Sequence, residues 1–388
     1  RIKPCATLRL KSESTSTRFS TYTEREHEGP MMEDEKYKNP ILHTSQFVMC
    51  GNCFRADTYR GCDFGCKYCF ANNRQGNFET KDQVADIQLI KKWFHDAIIK
   101  GDTGNIKKEM LNHRVPLHLG GMADPFQTRE WKYGATKELL KISSQYQYPI
   151  NISTKTASLP EPYFEILNPQ IHTFQISLIG ITDEYVRRFE TKTPTPAERI
   201  NFVKQLKDRG FWVSIRIQPL IKISEALRLI SETDRFVDYY TVEHLKLPSD
   251  NTYMMRNLLP LLHDVPEKLI PKGREWEFCG ATKQSNIARI KNSTKVRIGC
   301  GDNDFHTLSD SLNCCGIDTM PEAFGNWMKY NSMYIKMTGD RSQWFPKNDC
   351  TGCFNSTCVV PGMKSVKDYT ERYYRKLYGD DHQSSLFA

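Results

Sequence analysis

Gly61-Cys62-Asp63-Phe64-Gly65-Cys66-Lys67-Tyr68-Cys69-Phe70 sets three cysteines at C-x3-C-x2-C spacing in one tight loop. The run before it, residues 54–60, reads as a strand entering that loop, with Phe54, Thr58 and Tyr59 suited to a pleated surface. Three thiolates this close can hold three irons of a [4Fe–4S] cluster, which ordinarily takes four cysteines. With three in the loop, the fourth iron is left open for a small ligand. Zinc is the rival reading. A structural zinc site wants four ligands, usually in paired C-x2–4-C arms, and the triplet suits that poorly.

Downstream of the loop, strands and helices alternate. Residues 84–100 have helical periodicity, and 115–119 form a strand that ends at Gly120-Gly121. A helix over 129–146, a strand at 150–153, a short helix at 161–167 and a strand at 173–179 follow. The helix over 196–209 carries its own start and stop signals. Thr195 is the cap, Pro196 the first helical residue, Glu198 closes a capping box, and Gly210 ends it. A strand at 211–218, a helix at 224–233 and a strand at 236–243 complete the pattern. Such alternation predicts a parallel α/β sheet with helices outside. Roughly six units are fewer than the eight of a closed barrel, so a partial (β/α)6 barrel is expected, its site at the C-terminal strand ends. Residues 1–47 are expected to be an extended or disordered arm, since eight of the thirteen residues 12–24 are Ser or Thr. The barrel is expected over 48–248. A cysteine-rich C-terminal extension with a metal site of its own is expected over 249–388.

The chain has 388 residues and a net charge of +8, which permits a polyanionic partner without requiring one. No apolar run approaches the roughly 20 residues of a membrane helix. The first residues, Arg1-Ile2-Lys3-Pro4-Cys5, have no apolar core, so no secretory signal is expected. A cytoplasmic location is expected, without membrane association. Thirteen cysteines, an odd number, argue against a disulfide framework.

The triplet, with an aromatic residue before its last cysteine, resembles the signature of radical S-adenosylmethionine (SAM) enzymes. Across roughly residues 48–248 the chain is most similar to the spore photoproduct lyase-like branch. The matching stretches are Tyr59-Arg60-Gly61-Cys62, Tyr68-Cys69-Phe70-Ala71, and Gly120-Gly121-Met122-Ala123-Asp124-Pro125-Phe126-Gln127 with Glu130. Ile152-Ser153-Thr154-Lys155-Thr156, Ile176-Ser177-Leu178, Arg188-Phe189-Glu190 and Arg216-Ile217-Gln218-Pro219-Leu220-Ile221 match as well.

The resemblance implies that Cys62, Cys66 and Cys69 are the catalytic cluster ligands, and that the open iron chelates the amino and carboxylate groups of SAM. It implies that Gly120 and Gly121 receive the SAM amino group, where a plain strand-end turn is the alternative. Tyr68 would line the adenine pocket or serve only as a core aromatic. Lys155, beside Ser153, would pair with the SAM carboxylate, or be a solvated lysine. Asp124 and Gln127 would be polar groups at the same rim, Asp124 otherwise a turn or cap residue. Ser177, Arg216 and Gln218 lie on strands as further candidates, and Arg188 with Glu190 is expected to be a surface ion pair. An electron-donating reductase, flavodoxin or ferredoxin is the implied partner. The chain departs from the photoproduct lyases proper, which use a downstream cysteine as hydrogen donor. Here no cysteine lies between Cys69 and Cys279.

The remaining cysteines allow three readings. Cys350, Cys353 and Cys358, with Cys300 or Cys315, suit a second [4Fe–4S] cluster. Cys50-x2-Cys53 and Cys350-x2-Cys353 together make a zinc spacing. Inert buried thiols are the third. His306 is not expected to be a ligand.

The expected function is reductive cleavage of SAM to a 5′-deoxyadenosyl radical that modifies or rearranges a pyrimidine base or nucleotide in DNA. Basic and aromatic residues interleaved at Lys364, Lys367, Tyr369, Arg372, Tyr373, Tyr374, Arg375 and Lys376 suit contact with nucleic acid, or a solvated helix face. The alternatives are a radical SAM enzyme acting on a peptide or small metabolite, and a non-enzymatic iron–sulfur nucleic-acid-binding or sensor protein.

Overall fold

An eight-stranded sheet runs from Ile41 to Cys300, and seven of its strands are parallel. The computed structural model describes residues 36–43, 51–75, 81–249, 252–273, 275–302, 305, 308–311 and 313–327. Strands β1 (Lys36–Tyr37), β2 (Ile41–His43), β3 (Phe54–Ala56) and β4 (Tyr59–Arg60) lead to the cysteine loop, which ends at helix α1 (Phe70–Gln75). Next come β5 (Gln83–Ala85), α2 (Ile87–Phe94), α3 (Ile106–Asn112) and β6 (Leu117–Leu119). Helices α4 (Glu130–Tyr133) and α5 (Ala135–Tyr146) precede β7 (Ile150–Thr154), and α6 (Glu161–Phe164) precedes β8 (His172–Ser177). Helices α7 (Asp183–Phe189) and α8 (Pro196–Asp208) lead to β9 (Val213–Leu220), and α9 (Ile223–Thr233) to β10 (Tyr239–His244). An insertion of β11 (Lys246–Pro248), α10 (Thr252–Leu258), β12 (Leu269–Lys272) and β13 (Glu275–Phe278) comes before α11 (Gly280–Ser293) and β14 (Ile298–Cys300).

The main sheet has the order β14-β10-β9-β8-β7-β6-β3-β2 and is not closed. Only β2 runs antiparallel, against β3. In-register partners share a face, and faces alternate along each strand. One face is apolar: Leu117, Ile150, Ile152, Phe174, Ile176, Val213, Ile215, Ile217, Tyr240 and Val242 are each buried. The helices cover it, with Phe174 edge-on to Phe202 of α8 and to Phe211. The other face is polar. Arg55, His118, Asn151 and Thr173 are in register, as are Ser153, Gln175, Ser214 and Tyr239, and again Ser177, Arg216 and Thr241. A polar inner face within an otherwise apolar barrel is where chemistry can be housed.

The parallel alternation does not stop at β10, as the sequence reading expects. It resumes after the insertion, with α11 as crossover and β14 as a seventh parallel strand. The insertion forms its own antiparallel sheet, β11-β13-β12, and this hides the alternation. A buried ionic joint ties it down. Lys283 of α11 meets Glu277 at 2.5 Å and Asp302 at 3.6 Å, while His244 meets Asp302 at 2.6 Å. Cys315, Ile317, Met320, Phe324 and Trp327 also belong to the barrel core. The Asp310 backbone N–H donates to Ile298 at 2.8 Å, Thr241 donates to the Cys314 carbonyl at 2.9 Å, and Phe324 and Trp327 are fully buried in the main cluster. Within the expected N-terminal arm, β1 pairs with β5 and β2 joins the main sheet.

Local signals account for the helix breaks. The expected single helix over 129–146 is two, because Gly134 adopts φ +63° between α4 and α5. The capping box at Thr195 and Glu198 forms as its spacing predicts. No helix among the described residues is long and apolar enough to cross a membrane.

Candidate active site

The cysteine loop is held from two sides. Gly61 opens it at φ +115°, where an added Cβ would come within 1.8 Å of the Lys81 carbonyl, so only glycine fits. Gln127, fully buried, donates from Nε2 to the Gly61 carbonyl at 2.9 Å and accepts from the Asp63 N–H at 3.2 Å. On the far side the Lys67 N–H donates to Phe189 at 2.9 Å, and Cys66 forms an isolated bridge with Glu190. Gln127 is therefore a brace of the loop rather than a group at an open rim.

Backbone N–H groups of Asp124 and Phe64 point at the Cys62 sulfur. Burial pushes the Cys62 thiol up to about 12, with the Asp124 charge adding to it. Burial likewise pushes Cys66 up, while the Lys155 ammonium pulls it down, and Cys62 and Cys69 each act on it electrostatically. Three mutually interacting thiols, with N–H donors on one sulfur and a cation near another, fit a cluster that carries negative charge on its sulfurs. Among the described residues no group of three or more His, Cys, Asp or Glu side chains is arranged to hold a single metal ion.

Glu190 sits behind the loop and is fully buried. Arg199 of α8 reaches it at 2.7 Å, Thr193 donates to it at 3.1 Å, the Tyr68 hydroxyl donates to it, and Lys155 Nζ stands 3.9 Å away. The expected surface pair of Arg188 and Glu190 does not form. Arg188 meets Asp264 at 2.7 Å instead, because successive residues at the end of α7 point in different directions. Tyr68 lies under Lys155, whose Nζ is 5.7 Å from the ring centroid. Lys155 is thus not solvated; its side chain is 15% exposed and lies between Glu190 and Cys66.

The strand ends converge beside the loop. Gly120 has φ +89°, and a Cβ there would meet the Ser153 carbonyl at 2.2 Å. Asp57 accepts from the Met122 N–H at 2.7 Å and orders the turn after Gly121. Asp124 accepts from Phe126, Thr154 and the Lys155 N–H, at 3.0, 2.8 and 2.6 Å. Two of these bonds reach 30 and 31 residues along the chain, so Asp124 ties the turn after β6 to the end of β7. Ser153 exchanges hydrogen bonds with His118 at 2.7 Å and Gln175 at 2.9 Å. The Ser177 carbonyl accepts from Arg199 at 2.7 Å, and the Arg216 Nε donates to Gln218. Sequence reasoning missed Arg55, His118, Gln175 and Arg199. The first three were marked by single polar residues alternating with apolar ones, as in Leu117-His118-Leu119 and Phe174-Gln175-Ile176.

Among the later cysteines, Cys300 is buried on β14, and its thiol is pushed up by burial and by Asp302, with Cys314 also acting on it. The Cys315 thiol donates to Asn313 at 2.8 Å. Cys53 is buried at the start of β3. Cys50, His306, Cys350, Cys353, Cys358 and the basic segment 364–376 lie outside the described residues. No disulfide joins the described cysteines.

Residues 57–226 match the family model of the Radical SAM superfamily. Uncharacterized proteins of Mycobacterium tuberculosis and Mycobacterium bovis align at 23% identity over 172 residues, 43% of this chain and 49% of theirs. The chain thus spans about half the length of the curated relatives it matches. Among solved structures, a mutant spore photoproduct lyase superposes with TM-score 0.50 at 12% identity, covering 66% of this chain and 77% of that one. The same lyase complexed with dinucleoside spore photoproduct gives TM-score 0.48 at 13% identity, covering 62% and 73%. The likeness is one of fold.

Proposed function

We propose that this chain, whose residues 57–226 match the Radical SAM family model, is a SAM-dependent enzyme that acts on a pyrimidine base or nucleotide, modifying or rearranging it. The observation that supports the radical SAM chemistry is the half-buried loop that gathers Cys62, Cys66 and Cys69, with Lys155, just past the end of β7, acting on Cys66. When bound, a [4Fe–4S] cluster and SAM supply an electron and a 5′-deoxyadenosyl radical that takes a hydrogen atom from substrate. The protein's part is positioning. Gln127 and the Phe189–Glu190 segment hold the loop. Lys155 places a cation where a carboxylate beside Cys66 would need one. Gly120 lets the end of β6 pack against the Ser153 carbonyl at a positive φ, which fixes the strand ends beside the loop. The inner face, where His118, Ser153, Gln175 and Ser214 are buried, offers amide, hydroxyl and guanidinium groups, which suits a heterocycle with carbonyl and N–H edges better than an apolar side chain.

The sequence likeness to the photoproduct lyase branch and the net charge of +8 support a nucleotide substrate. A duplex substrate would have to unstack its base, at a cost of roughly a few kcal/mol; a single strand would avoid it. A flavodoxin, ferredoxin or reductase is the electron donor of this reading. A cytoplasmic location, where thiols stay reduced, agrees with it. A second metal centre on the C-terminal cysteines is a further part of the reading. The test is anaerobic incubation of reduced enzyme and SAM with duplex DNA, single strands, nucleosides and small peptides. Substrate-dependent 5′-deoxyadenosine with nucleic acid is expected. A mass change with peptides alone would overturn the substrate assignment. The Cys62/Cys66/Cys69→Ala variant should lose about four irons and all SAM cleavage, and any iron and sulfide it retains would mark the second centre; zinc there would appear in elemental analysis instead.

A further inference from the structure

Glu190 is the centre of the buried network behind the cysteine loop, and its two oxygens have separate tasks. Oε2 accepts from Arg199 at 2.7 Å and from Thr193 at 3.1 Å. Oε1 accepts from the Tyr68 hydroxyl. Lys155 Nζ stands 3.9 Å from that same Oε1, close enough for the charges to attract and beyond hydrogen-bond reach. Among the described residues the Lys155 ammonium makes no hydrogen bond, although its charge is matched. The backbone that carries it is fixed, since the Lys155 N–H donates to Asp124 at 2.6 Å.

The neighbours explain how the ammonium is kept in that state. Arg199 is fully buried and donates to the Ser177 carbonyl at 2.7 Å and the Thr193 hydroxyl at 3.4 Å as well as to Glu190, so it is fixed where it is. Tyr68 spends its single O–H on Glu190 while its ring lies 5.7 Å from Lys155 Nζ, within the range of a cation–π attraction. Tyr68 is part of the loop itself, between Cys66 and Cys69, and Cys66 pairs with Glu190 through the backbone. A carboxylate and an aromatic ring thus hold the ammonium against the loop, and neither takes up its N–H groups. The side chain keeps 15% exposure, which leaves a side open. A ligand carboxylate is the group that such donors bind most strongly.

We propose that Glu190 is a positioning residue for SAM: its charge holds Lys155 at the cysteine loop, and the Tyr68 hydroxyl, by occupying Oε1, keeps the ammonium's N–H groups for the SAM carboxylate. This inference rests on the reading of the site as a radical SAM active site and adds to it the device that presents the cation. A carboxylate that only tied the end of α7 to α8 would need Oε2 and Arg199 alone. Oε1, shared between Tyr68 and the attraction to Lys155, has no part in that tie.

The test uses the reconstituted holoenzyme and two readouts. One is equilibrium binding of SAM and of decarboxylated SAM. The other is the rate at which acetic anhydride acetylates Lys155 without SAM, read by mass spectrometry against exposed Lys92 on α2. Glu190→Gln removes the charge and keeps the shape. It should weaken SAM binding by about tenfold, leave decarboxylated SAM nearly unchanged, and speed acetylation of Lys155 several-fold as the ammonium leaves its place. Tyr68→Phe keeps the ring and frees Oε1. Lys155 should then close on the carboxylate, so SAM binding again weakens several-fold, but acetylation slows. The two variants thus move the lysine in opposite directions, which a general loosening of the loop would not do. Tyr68→Phe carries the test alone if Glu190→Gln does not hold its iron. Unchanged SAM affinity in the variants, or an equal loss for SAM and decarboxylated SAM, would overturn the inference. Failure of wild type to bind SAM would remove the proposed function, while the acetylation rates would still show whether Glu190 and Tyr68 set the place of Lys155.

Discussion

Glu190 shows what one buried charge does to its neighbours. Burial pushes its carboxyl up, but Arg199 and Lys155 outweigh burial and hold it below the ordinary carboxylate range. A depressed carboxyl stabilises the fold above its unfolded pKa, and that stability is lost as pH falls through the folded value. Removing it leaves Arg199, itself fully buried, without a counter-charge. Glu190→Ala should therefore lower unfolding free energy by about 3–5 kcal/mol in urea titrations. Glu190→Gln should lose less, because its amide can still accept from Tyr68. Equal stability of wild type and alanine variant would show that the ion pair does not form. Gly120 is the other residue with a sharp consequence. Gly120→Ala drives a Cβ into the Ser153 backbone at a positive φ. It should cost more than about 2 kcal/mol and also weaken SAM binding, read by equilibrium titration; a variant with native stability and native affinity would refute the strand-end packing.

At the scale of elements, β8 is joined to α5 through a histidine. His172 accepts at Nδ1 from the Asn168 N–H at 2.9 Å, and its Nε2 faces the Ser143 hydroxyl at 2.9 Å. Burial lowers its pKa to about 3. An unfolded histidine titrates near 6.5. The unfolded chain thus binds a proton that the folded one refuses, and stability falls as pH drops from about 6.5 towards 3. His172→Gln removes this titration. The stability advantage of wild type over that variant should shrink by about 1.4 kcal/mol per pH unit below 6.5, measured by denaturant unfolding at pH 7, 6, 5 and 4. A difference that stays flat with pH would show that His172 is protonated in the fold. The elements themselves were mostly legible. The capping box of α8 and the β-branched runs of β7 and β9 carry local signals strong enough to survive tertiary context. The cysteine loop was legible because its three cysteines lie at close spacing along one short segment. Glu190, Arg199 and Arg55 were not, because each acquires its role from partners far away in sequence. The unit α11–β14 was not, because an antiparallel insertion interrupts the alternation before it.

Across the whole molecule, the segment 309–327 decides whether the C-terminal part is a separate body or part of the barrel. Phe324 and Trp327 are fully buried, and Ile317 nearly so, in the same cluster as Phe174, Val213 and Tyr240. Thr173 and Thr241, from the inner face of two strands, hydrogen-bond to Met320 and Cys314. A segment so placed closes one end of an open sheet, so its stability and that of the barrel are one quantity. Trp327→Ala removes a large buried side chain and should cost about 3–5 kcal/mol. The loss should appear in every probe at once. Circular dichroism of the helices and tryptophan fluorescence should shift to the same lower urea midpoint and remain coincident. If the extension folded apart from the barrel, the variant would instead show a fluorescence transition at low urea, followed by an unchanged barrel transition. SAM binding separates the two cases independently. In the proposed function SAM is held at the cysteine loop and the β6–β7 ends, so a barrel destabilised as a whole should keep its SAM affinity well below the midpoint and lose it together with the helical signal.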